Sequence, residues 1–320
     1  MVRRKLKLLN GLQGVLLHEK PENLLHETLL RMARAVITAS KAAYPVAGDK
    51  SRFYGFANWK NLQRELSTYV GFSYLCRSLK NTDHTSAFKQ KALHWANQFD
   101  VCCLLDSNQY PDVYSAYDFI LAADVQAEIQ CNSGNAFEQL KAFQEANKQW
   151  LFGFFSYDLK NEIEDLVSNN TDHLNFPELY FFIPKYLIAV KNGKAEVLIG
   201  DDAVLNEIND FKIEESESTG QLNIERRLSK TAYLNKVEKL KEHIIRGDIY
   251  EVNFCQEFFA ENAKINPVET FGLLNDISPT PFAGFLKVNE HYILSATPER
   301  FLAKRGSKLI SQPIKGTARR

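Results

Sequence analysis

Two residues near the end of the chain, Glu299 and Lys315, are of types that could perform nucleophilic and acid–base chemistry together. A lysine amine attacks carbon only when neutral, so its pKa of about 10.4 must be lowered by desolvation or by nearby positive charge. A carboxyl that donates a proton near neutral pH needs a raised pKa, through partial burial or a neighbouring anion. The pair would suit a reaction in which the amine bonds to a substrate while the acid protonates a leaving group.

The neighbours of this pair favour a site without establishing one. Pro298 and Pro313 interrupt a strand ladder beside each residue, and Gly316 permits a ligand to approach the backbone. The alternative is an exposed cross-strand ion pair without function, which contributes about 0–1 kcal/mol to stability. Residue types and spacing leave both interpretations open.

The final third of the sequence predicts β-hairpins that would bring the pair together. The expected strands are 281–288, 292–305 and 308–317. Antiparallel pairing through short turns places residues that are distant in sequence opposite each other. Because the turn at Gly306–Ser307 lies nearly midway between Glu299 and Lys315, we expect these two side chains to face one cavity.

The upstream sequence predicts both strands and helices. Further strands are expected at 100–107, 150–159, 178–190, 194–201 and 249–260. Helices are expected at 135–150, at 229–248 with a stop at Gly247, and at 265–278 with Asn266 as the cap. These patterns indicate a mixed α/β body with antiparallel hairpins.

Four motifs occur in an order that resembles the chorismate-utilising enzymes, the family of anthranilate synthase component I. They are GDIYEVNFCQEF (247–258), SPTPFAGFL (278–286), SATPERFL (295–302) and QPIKGT (312–317). Two upstream segments, LLDS (104–107) and GFFSYDL (153–159), resemble the amino-terminal part of the same family. The likeness extends from about residue 84 to the end.

The resemblance implies an α+β fold of two packed antiparallel β-sheets flanked by helices, incomplete at the carboxyl-terminal end. It also implies a division of the chain. The expected parts are a helical extension of unknown role (1–82), the amino-terminal part of the component I-like domain (83–213), a linker (214–228) and the first part of the chorismate-binding catalytic domain (229–320).

Within that family, the residue before the Gly-Thr pair separates two chemistries. Anthranilate synthases resemble one another in having Pro-Ile-Ala-Gly-Thr, whereas PIKGT is similar to the aminodeoxychorismate synthase branch, which serves folate and para-aminobenzoate biosynthesis. The resemblance implies that Lys315 attacks carbon 2 of chorismate and that Glu299 protonates the hydroxyl leaving carbon 4. Ammonia then adds at carbon 4 and expels the lysine.

Further site residues follow from the resemblance. Gly316, Thr317 and Arg320 are similar to substrate-contacting positions, although Ala318 and Arg319 depart from the common Arg-Pro. A second group is similar to positions that line a tryptophan pocket in relatives, and core packing is its alternative role. This group consists of Ser107, Pro281 and Phe282.

The resemblance also implies a cofactor and a partner. Family members use Mg2+, whose ligands are expected in a portion that follows PIKGT in relatives, and they draw ammonia from a glutamine amidotransferase subunit. We therefore expect no metal ligand within this chain, and negligible turnover by this chain alone. Two alternatives stay open: an anthranilate synthase component I-like enzyme, or a non-catalytic homologue that binds the amidotransferase.

Composition agrees with a small-molecule substrate. Lysine plus arginine and aspartate plus glutamate both total 39 residues, so no global field selects nucleic acid or an anionic membrane as partner. No run approaches the roughly 20 apolar residues that span a bilayer. Five cysteines without CxxC spacing indicate neither a disulfide framework nor a zinc site, which is typical of the cytoplasm.

Overall fold

The computed structural model describes residues 5–8, 84–167, 169–214 and 222–312. Four of the predicted site residues lie outside these ranges and stay predictions: Lys315, Gly316, Thr317 and Arg320. Most of the predicted extension at 1–82 also lies outside them. The described residues 5–8 of that extension form a strand, and the division of the chain into parts stays a prediction.

The described residues form helices and strands that alternate irregularly along the chain. The helices are α1 (His84–Ala96), α2 (Ala136–Asn147), α3 (Val204–Asp210), α4 (Lys230–Arg246) and α5 (Pro267–Ile277), with a 3₁₀ helix at Tyr157–Glu162. The strands are β1 (Lys5–Leu8), β2 (Val101–Asp106), β3 (Phe119–Cys131), β4 (Phe152–Phe155), β5 (Leu179–Lys191), β6 (Lys194–Ile199), β7 (Glu225–Arg226), β8 (Phe258–Phe259), β9 (Phe282–Val288), β10 (His291–Thr297), β11 (Arg300–Arg305) and β12 (Lys308–Gln312).

Eight strands build one large sheet in the order β1-β10-β9-β2-β3-β5-β4, with β6 also paired to β5. Its pairings are antiparallel except that of β1 with β10, which is parallel. In the described part of the chain, β7–β8 and β11–β12 form two further two-stranded sheets. The α+β class predicted from the sequence is confirmed.

The position of strand β2 in the sheet explains why its sequence is a continuous apolar run. It pairs with β3 on one side and β9 on the other, and both of its faces are covered, as expected for a strand in the middle of a sheet. Cys102 and Cys103 point to opposite faces and are buried, and burial raises the pKa of the Cys102 thiol to about 12. These cysteines therefore pack as small apolar side chains.

The helix ends follow local sequence signals. The Ser229 hydroxyl accepts a hydrogen bond from the Ala232 amide at the start of α4, and Gly247 ends that helix in the left-handed region at φ 82°. The Asn266 side chain accepts from the Val268 and Glu269 amides at the start of α5. The caps predicted at Asn266 and Gly247 are therefore confirmed.

The strand predicted at 249–260 was wrong for most of its length. Only Phe258–Phe259 is a strand, and it pairs with the short β7. Residues 249–257 lie outside any strand, and Tyr250 is 78% exposed. An apolar, β-prone run forms a strand only where a neighbouring strand supplies hydrogen-bonding partners, and within the described ranges β7 supplies two residues.

None of the helices in the described ranges combines the length and the apolar character that a membrane span requires.

Candidate active site

Glu299 lies at the junction between β10 and β11. Strand β10 ends at Thr297, Pro298 breaks the ladder, and β11 begins at Arg300. The Glu299 amide donates to the Thr297 hydroxyl oxygen at 3.2 Å, which fixes the backbone direction at this break. The Glu299 residue is half-buried, so its carboxyl is neither sealed in the core nor free in bulk water.

The hairpin that follows was predicted from the sequence and is confirmed. Its antiparallel register pairs Arg305 with Lys308 next to the turn and Arg300 with Gln312 at the far end, with an irregularity in between. Gly306 in the turn has φ 60°, a left-handed conformation that favours glycine. Glu299 therefore precedes one strand of a hairpin whose other strand leads, three residues beyond Gln312, to Lys315.

The side chain next to Glu299 is the buried centre of this region. Arg300 is 9% exposed, and its guanidinium donates to the Gln312 amide oxygen at 2.7 Å and to the Asp112 carboxylate. It also packs against two aromatic rings, 4.7 Å from the centroid of Phe282 and 5.5 Å from that of Tyr114. Sequence reasoning missed this residue as a site component, although it belongs to the SATPERFL motif.

Asp112 is the counter-charge in this cluster. Burial acts to raise its pKa, but the Tyr114 amide, the hydrogen bond from Arg300, and the charges of Arg300 and Arg305 act in the opposite direction and lower the pKa overall. The Tyr114 amide donates to the second Asp112 carboxylate oxygen at 2.9 Å. The carboxylate is thus ionised and accepts hydrogen bonds at both oxygens.

The connection between β2 and β3 carries Asp112 and also Ser107. The Ser107 hydroxyl donates to the Asp118 carbonyl at 2.7 Å, and the Ser107 amide donates to the same oxygen at 2.9 Å. The serine therefore closes the base of this loop. This contact stabilises the loop, and the tryptophan pocket expected at Ser107 stays a prediction.

The three predicted tryptophan-pocket residues belong to two segments that the structure joins. The Asn108 side chain donates to the Thr280 carbonyl at 2.8 Å, which links the residue after Ser107 to the residue before Pro281. Phe282 begins β9 and is half-buried, with the Arg300 guanidinium over its ring. The segments that carry these candidates therefore lie beside the junction that carries Glu299.

Asp248, the second residue of the GDIYEVNFCQEF motif, contacts the end of α4. The Asp248 carboxylate interacts with His243 Nδ1 at 2.8 Å and accepts from Arg246 Nε at 3.0 Å, and the hydrogen bonds from His243 and Arg246 lower its pKa. Asp248 thus binds the basic last turn of α4, where the helix dipole favours cations. The described contacts assign Asp248 to helix termination.

Within the ranges that the structure describes, no group of three or more histidine, cysteine, aspartate or glutamate side chains could hold a metal ion. The magnesium site expected from the resemblance stays a prediction.

Comparison with known proteins gives a consistent family likeness. The family model described as chorismate binding enzyme matches residues 100–320, which include Glu299 and Lys315. Aminodeoxychorismate synthase component 1 of Bacillus subtilis is 25% identical over 190 residues, covering 52% of this chain and 39% of that protein. Anthranilate synthase component 1 of Thermus thermophilus is 28% identical over 179 residues, covering 52% of this chain and 38% of that protein.

A solved structure supports the same fold. The crystal structure of anthranilate synthase component I from Streptococcus pneumoniae superposes with a TM-score of 0.51 at 17% identity, over 62% of this chain and 54% of that chain. At this identity the likeness concerns the fold alone. The chain spans 39% and 38% of the lengths of these two curated relatives.

Proposed function

The chain belongs to the chorismate binding enzymes, and from this membership we propose that it supplies the nucleophile and the general acid of an aminodeoxychorismate synthase component I. Such an enzyme converts chorismate and ammonia into 4-amino-4-deoxychorismate, the precursor of para-aminobenzoate in folate biosynthesis. The proposed nucleophile is Lys315 and the proposed acid is Glu299.

The observation that carries this proposal is the pairing of Arg300 with Gln312. Glu299 directly precedes one of these residues, and Lys315 follows the other by three positions. An extended chain spans at most about 3.6 Å per residue, so the Lys315 Cα is bound to lie within about 11 Å of the Gln312 Cα. This limit is compatible with an amine and an acid that act on one substrate, which the proposal requires.

The chemistry balances with these two residues. The neutral Lys315 amine forms a bond to carbon 2 of chorismate, the ring double bonds shift, and the carbon 4 hydroxyl leaves as water with the proton from Glu299. Ammonia then bonds to carbon 4, the double bonds shift back, and the lysine nitrogen leaves carbon 2. Covalent catalysis of this kind replaces one difficult substitution by two easier ones.

The proposed chemistry requires a neutral Lys315 amine, and desolvation or nearby positive charge lowers the pKa of a lysine. A lower pKa increases the neutral fraction of the amine, which is the form that attacks carbon.

A magnesium ion and an amidotransferase partner belong to the same proposal. When bound, Mg2+ would neutralise the carboxylate charge of the substrate ring. A glutamine amidotransferase subunit would supply the ammonia. Omitting Mg2+ from the assay below measures the metal requirement. Replacing the ammonium salt with glutamine, with and without the amidotransferase subunit, measures the partner requirement.

A second candidate is an anthranilate synthase, because relatives with that name match at similar identity. The two reactions differ in the site of amination: anthranilate requires ammonia at carbon 2, the position that Lys315 would occupy here. A lysine at 315 therefore favours the first candidate, since the amine blocks direct attack by ammonia at carbon 2.

Product analysis tests the proposal. Because negligible turnover is expected from residues 1–320 alone, the protein is expressed from its natural gene together with any portion that the gene encodes after PIKGT. It is incubated with chorismate, Mg2+ and an ammonium salt, and the products are separated by chromatography. We expect 4-amino-4-deoxychorismate from the unaltered protein and its loss in Lys315→Ala, with Lys304→Ala as the matched control on β11.

The other outcomes overturn the proposal in distinguishable ways. Fluorescent anthranilate from the unaltered protein would favour the second candidate. Capture of a glutamine amidotransferase without any turnover of chorismate would instead favour a non-catalytic binding homologue.

A further inference from the structure

An ion pair between Asp112 and Arg300 ties the β11–β12 hairpin to the loop between β2 and β3. The two residues lie 188 positions apart in sequence, and their side chains are 18% and 9% exposed. Tyr114 and Phe282 pack against the same guanidinium, and Gln312 accepts one of its hydrogen bonds. We call these five residues the hairpin anchor.

A second pair of contacts strengthens the attachment from the turn end of the hairpin. Arg305 donates to the Tyr114 carbonyl at 2.6 Å, and the Lys308 ammonium lies 5.3 Å from the Tyr114 ring centroid. The same loop therefore holds both ends of the hairpin. In the described part of the chain the hairpin is a separate two-stranded sheet, so side-chain contacts of this kind position it relative to the main sheet.

Stability is a poor reason for burying such a pair. Desolvation of two charges largely offsets their attraction, and apolar side chains of similar volume are often as stabilising. What an ion pair provides is a defined geometry, because the planar guanidinium donates in fixed directions. Arg300 uses those directions to reach Asp112 on one side and Gln312 on the other.

Arg300 is adjacent to Glu299, so an immobilised Arg300 limits where the Glu299 backbone can move. The preceding residues are constrained as well, because Pro298 has a fixed φ and the Thr297 hydroxyl accepts from the Glu299 amide. Glu299 is therefore held from both sides. The partner of Arg300 on the opposite strand, Gln312, is three residues from Lys315.

We infer that Arg300 is a positioning residue that, anchored by Asp112, sets the distance between the Glu299 carboxyl and the end of β12. This inference rests on the proposed function, because it assumes that Glu299 and Lys315 act on one substrate. It assigns no substrate contact to Arg300. Its consequence is that loss of the anchor slows the chemical step while substrate affinity changes little.

The test compares Arg300→Met and Asp112→Asn with Lys304→Met, an exposed matched control on the same strand. The natural-gene protein is mixed with chorismate and Mg2+ without ammonia, and the rate of adduct formation at Lys315 is followed by mass spectrometry as chorismate concentration is varied. A displacement of about 1 Å can cost about 100-fold in rate. We expect a maximal-rate loss of that order in Arg300→Met, a half-saturating chorismate concentration within about threefold, and no change in Lys304→Met.

Chemical rescue separates positioning from a general loss of structure. In Arg300→Ala, added methylguanidinium should bind between Asp112 and the aromatic rings and restore part of the rate, whereas methylammonium should not. If Arg300→Met does not fold, the rate in Asp112→Asn and the rescue of Arg300→Ala still test whether Arg300 positions Glu299.

Two results would overturn the inference. Equal maximal rates in Arg300→Met and the unaltered protein would exclude a positioning role while leaving the proposed function intact. A loss confined to chorismate affinity, without rescue, would make Arg300 a binding determinant. Absence of any adduct in the unaltered protein would instead remove the proposed function itself.

Discussion

The Arg300 guanidinium donates to the Asp112 carboxylate across 188 positions of sequence, beside the residue proposed as the general acid. Through this contact, a loop that leaves the middle of the large sheet reaches the β11–β12 hairpin. The geometry of the candidate site therefore depends on a residue, Asp112, that none of the motifs quoted for the family contains.

The Asp112 contacts predict a pH-dependent loss of stability. Asp112→Asn should lower the free energy of unfolding at pH 7 by about 1.5–3 kcal/mol, the range for a hydrogen bond to a charged group. The pKa of Asp112 is lowered in the folded protein from an unfolded value of about 3.9. Its contribution is therefore complete above that unfolded value and is lost as pH falls through the lowered pKa.

Urea unfolding of both proteins between pH 7 and pH 2.5 measures this contribution. The difference between the two should be constant near neutral pH and should shrink at the acidic end. A difference that does not change over the whole range would contradict an ionised, hydrogen-bonded Asp112.

Adding a single methyl group at Gly153 should lower the stability of the protein strongly. A Cβ at this position would lie 1.9 Å from the Tyr180 carbonyl oxygen, a backbone atom of the neighbouring strand that cannot move aside cheaply. Gly153→Ala should therefore destabilise the protein by about 1–3 kcal/mol or more. Thermal unfolding monitored by circular dichroism provides the measurement.

Gly272 is the matched control for that substitution. It lies inside α5, and a Cβ there would meet no atom within 4 Å. Gly272→Ala should stabilise by about 0.5–1 kcal/mol, since alanine is the better helix former. If the unfolding temperatures of the two variants shifted equally, Gly153 would not lie as close to β5 as the structure places it.

The substitution Ser107→Ala tests whether Ser107 stabilises its loop or binds a ligand. Ser107→Ala removes the hydroxyl that donates to the Asp118 carbonyl, so we expect destabilisation of about 0.5–1.5 kcal/mol. Titration of tryptophan into the unaltered protein and the variant, followed by calorimetry, tests the pocket predicted from the resemblance. Tryptophan binding that is lost in Ser107→Ala, without a stability change, would contradict the structural role.

The described cysteines should differ sharply in reactivity. Burial raises the pKa of the Cys102 thiol to about 12 and raises that of Cys103 as well, whereas Cys255 is exposed. Because the thiolate is the reactive form, iodoacetamide at pH 8 should modify Cys255 first. Cys102 and Cys103 should react only after unfolding, and peptide mapping that finds them modified at a similar rate in the native protein would contradict their placement.

Local sequence signals were sufficient for much of the fold. Ser229, Gly247 and Asn266 mark helix ends through contacts within a few residues, and the Gly306–Ser307 turn is equally local. The strand expected at 249–260 was wrong because strand formation depends on a distant partner, which apolar composition does not reveal.

In the candidate site, too, the feature within a local motif was predicted from the sequence, and the contact with a distant residue was not. Glu299 was found because it lies within an ordered motif, and the structure places it at a strand junction beside the segments of Ser107 and Phe282. The Asp112–Arg300 pair was not found, because nothing in the sequence around Asp112 indicates a partner 188 residues away. A buried arginine directly after a proposed acid is the signal that could have prompted the search.

The most direct test of the central claim is mass spectrometry of the natural-gene protein after incubation with chorismate and Mg2+ in the absence of ammonia. We expect an adduct on the Lys315 side chain with the mass of chorismate less one water, and its loss on addition of ammonium ion or in Lys315→Ala. Turnover of chorismate to an aminated product by an enzyme that never carries this adduct would contradict it.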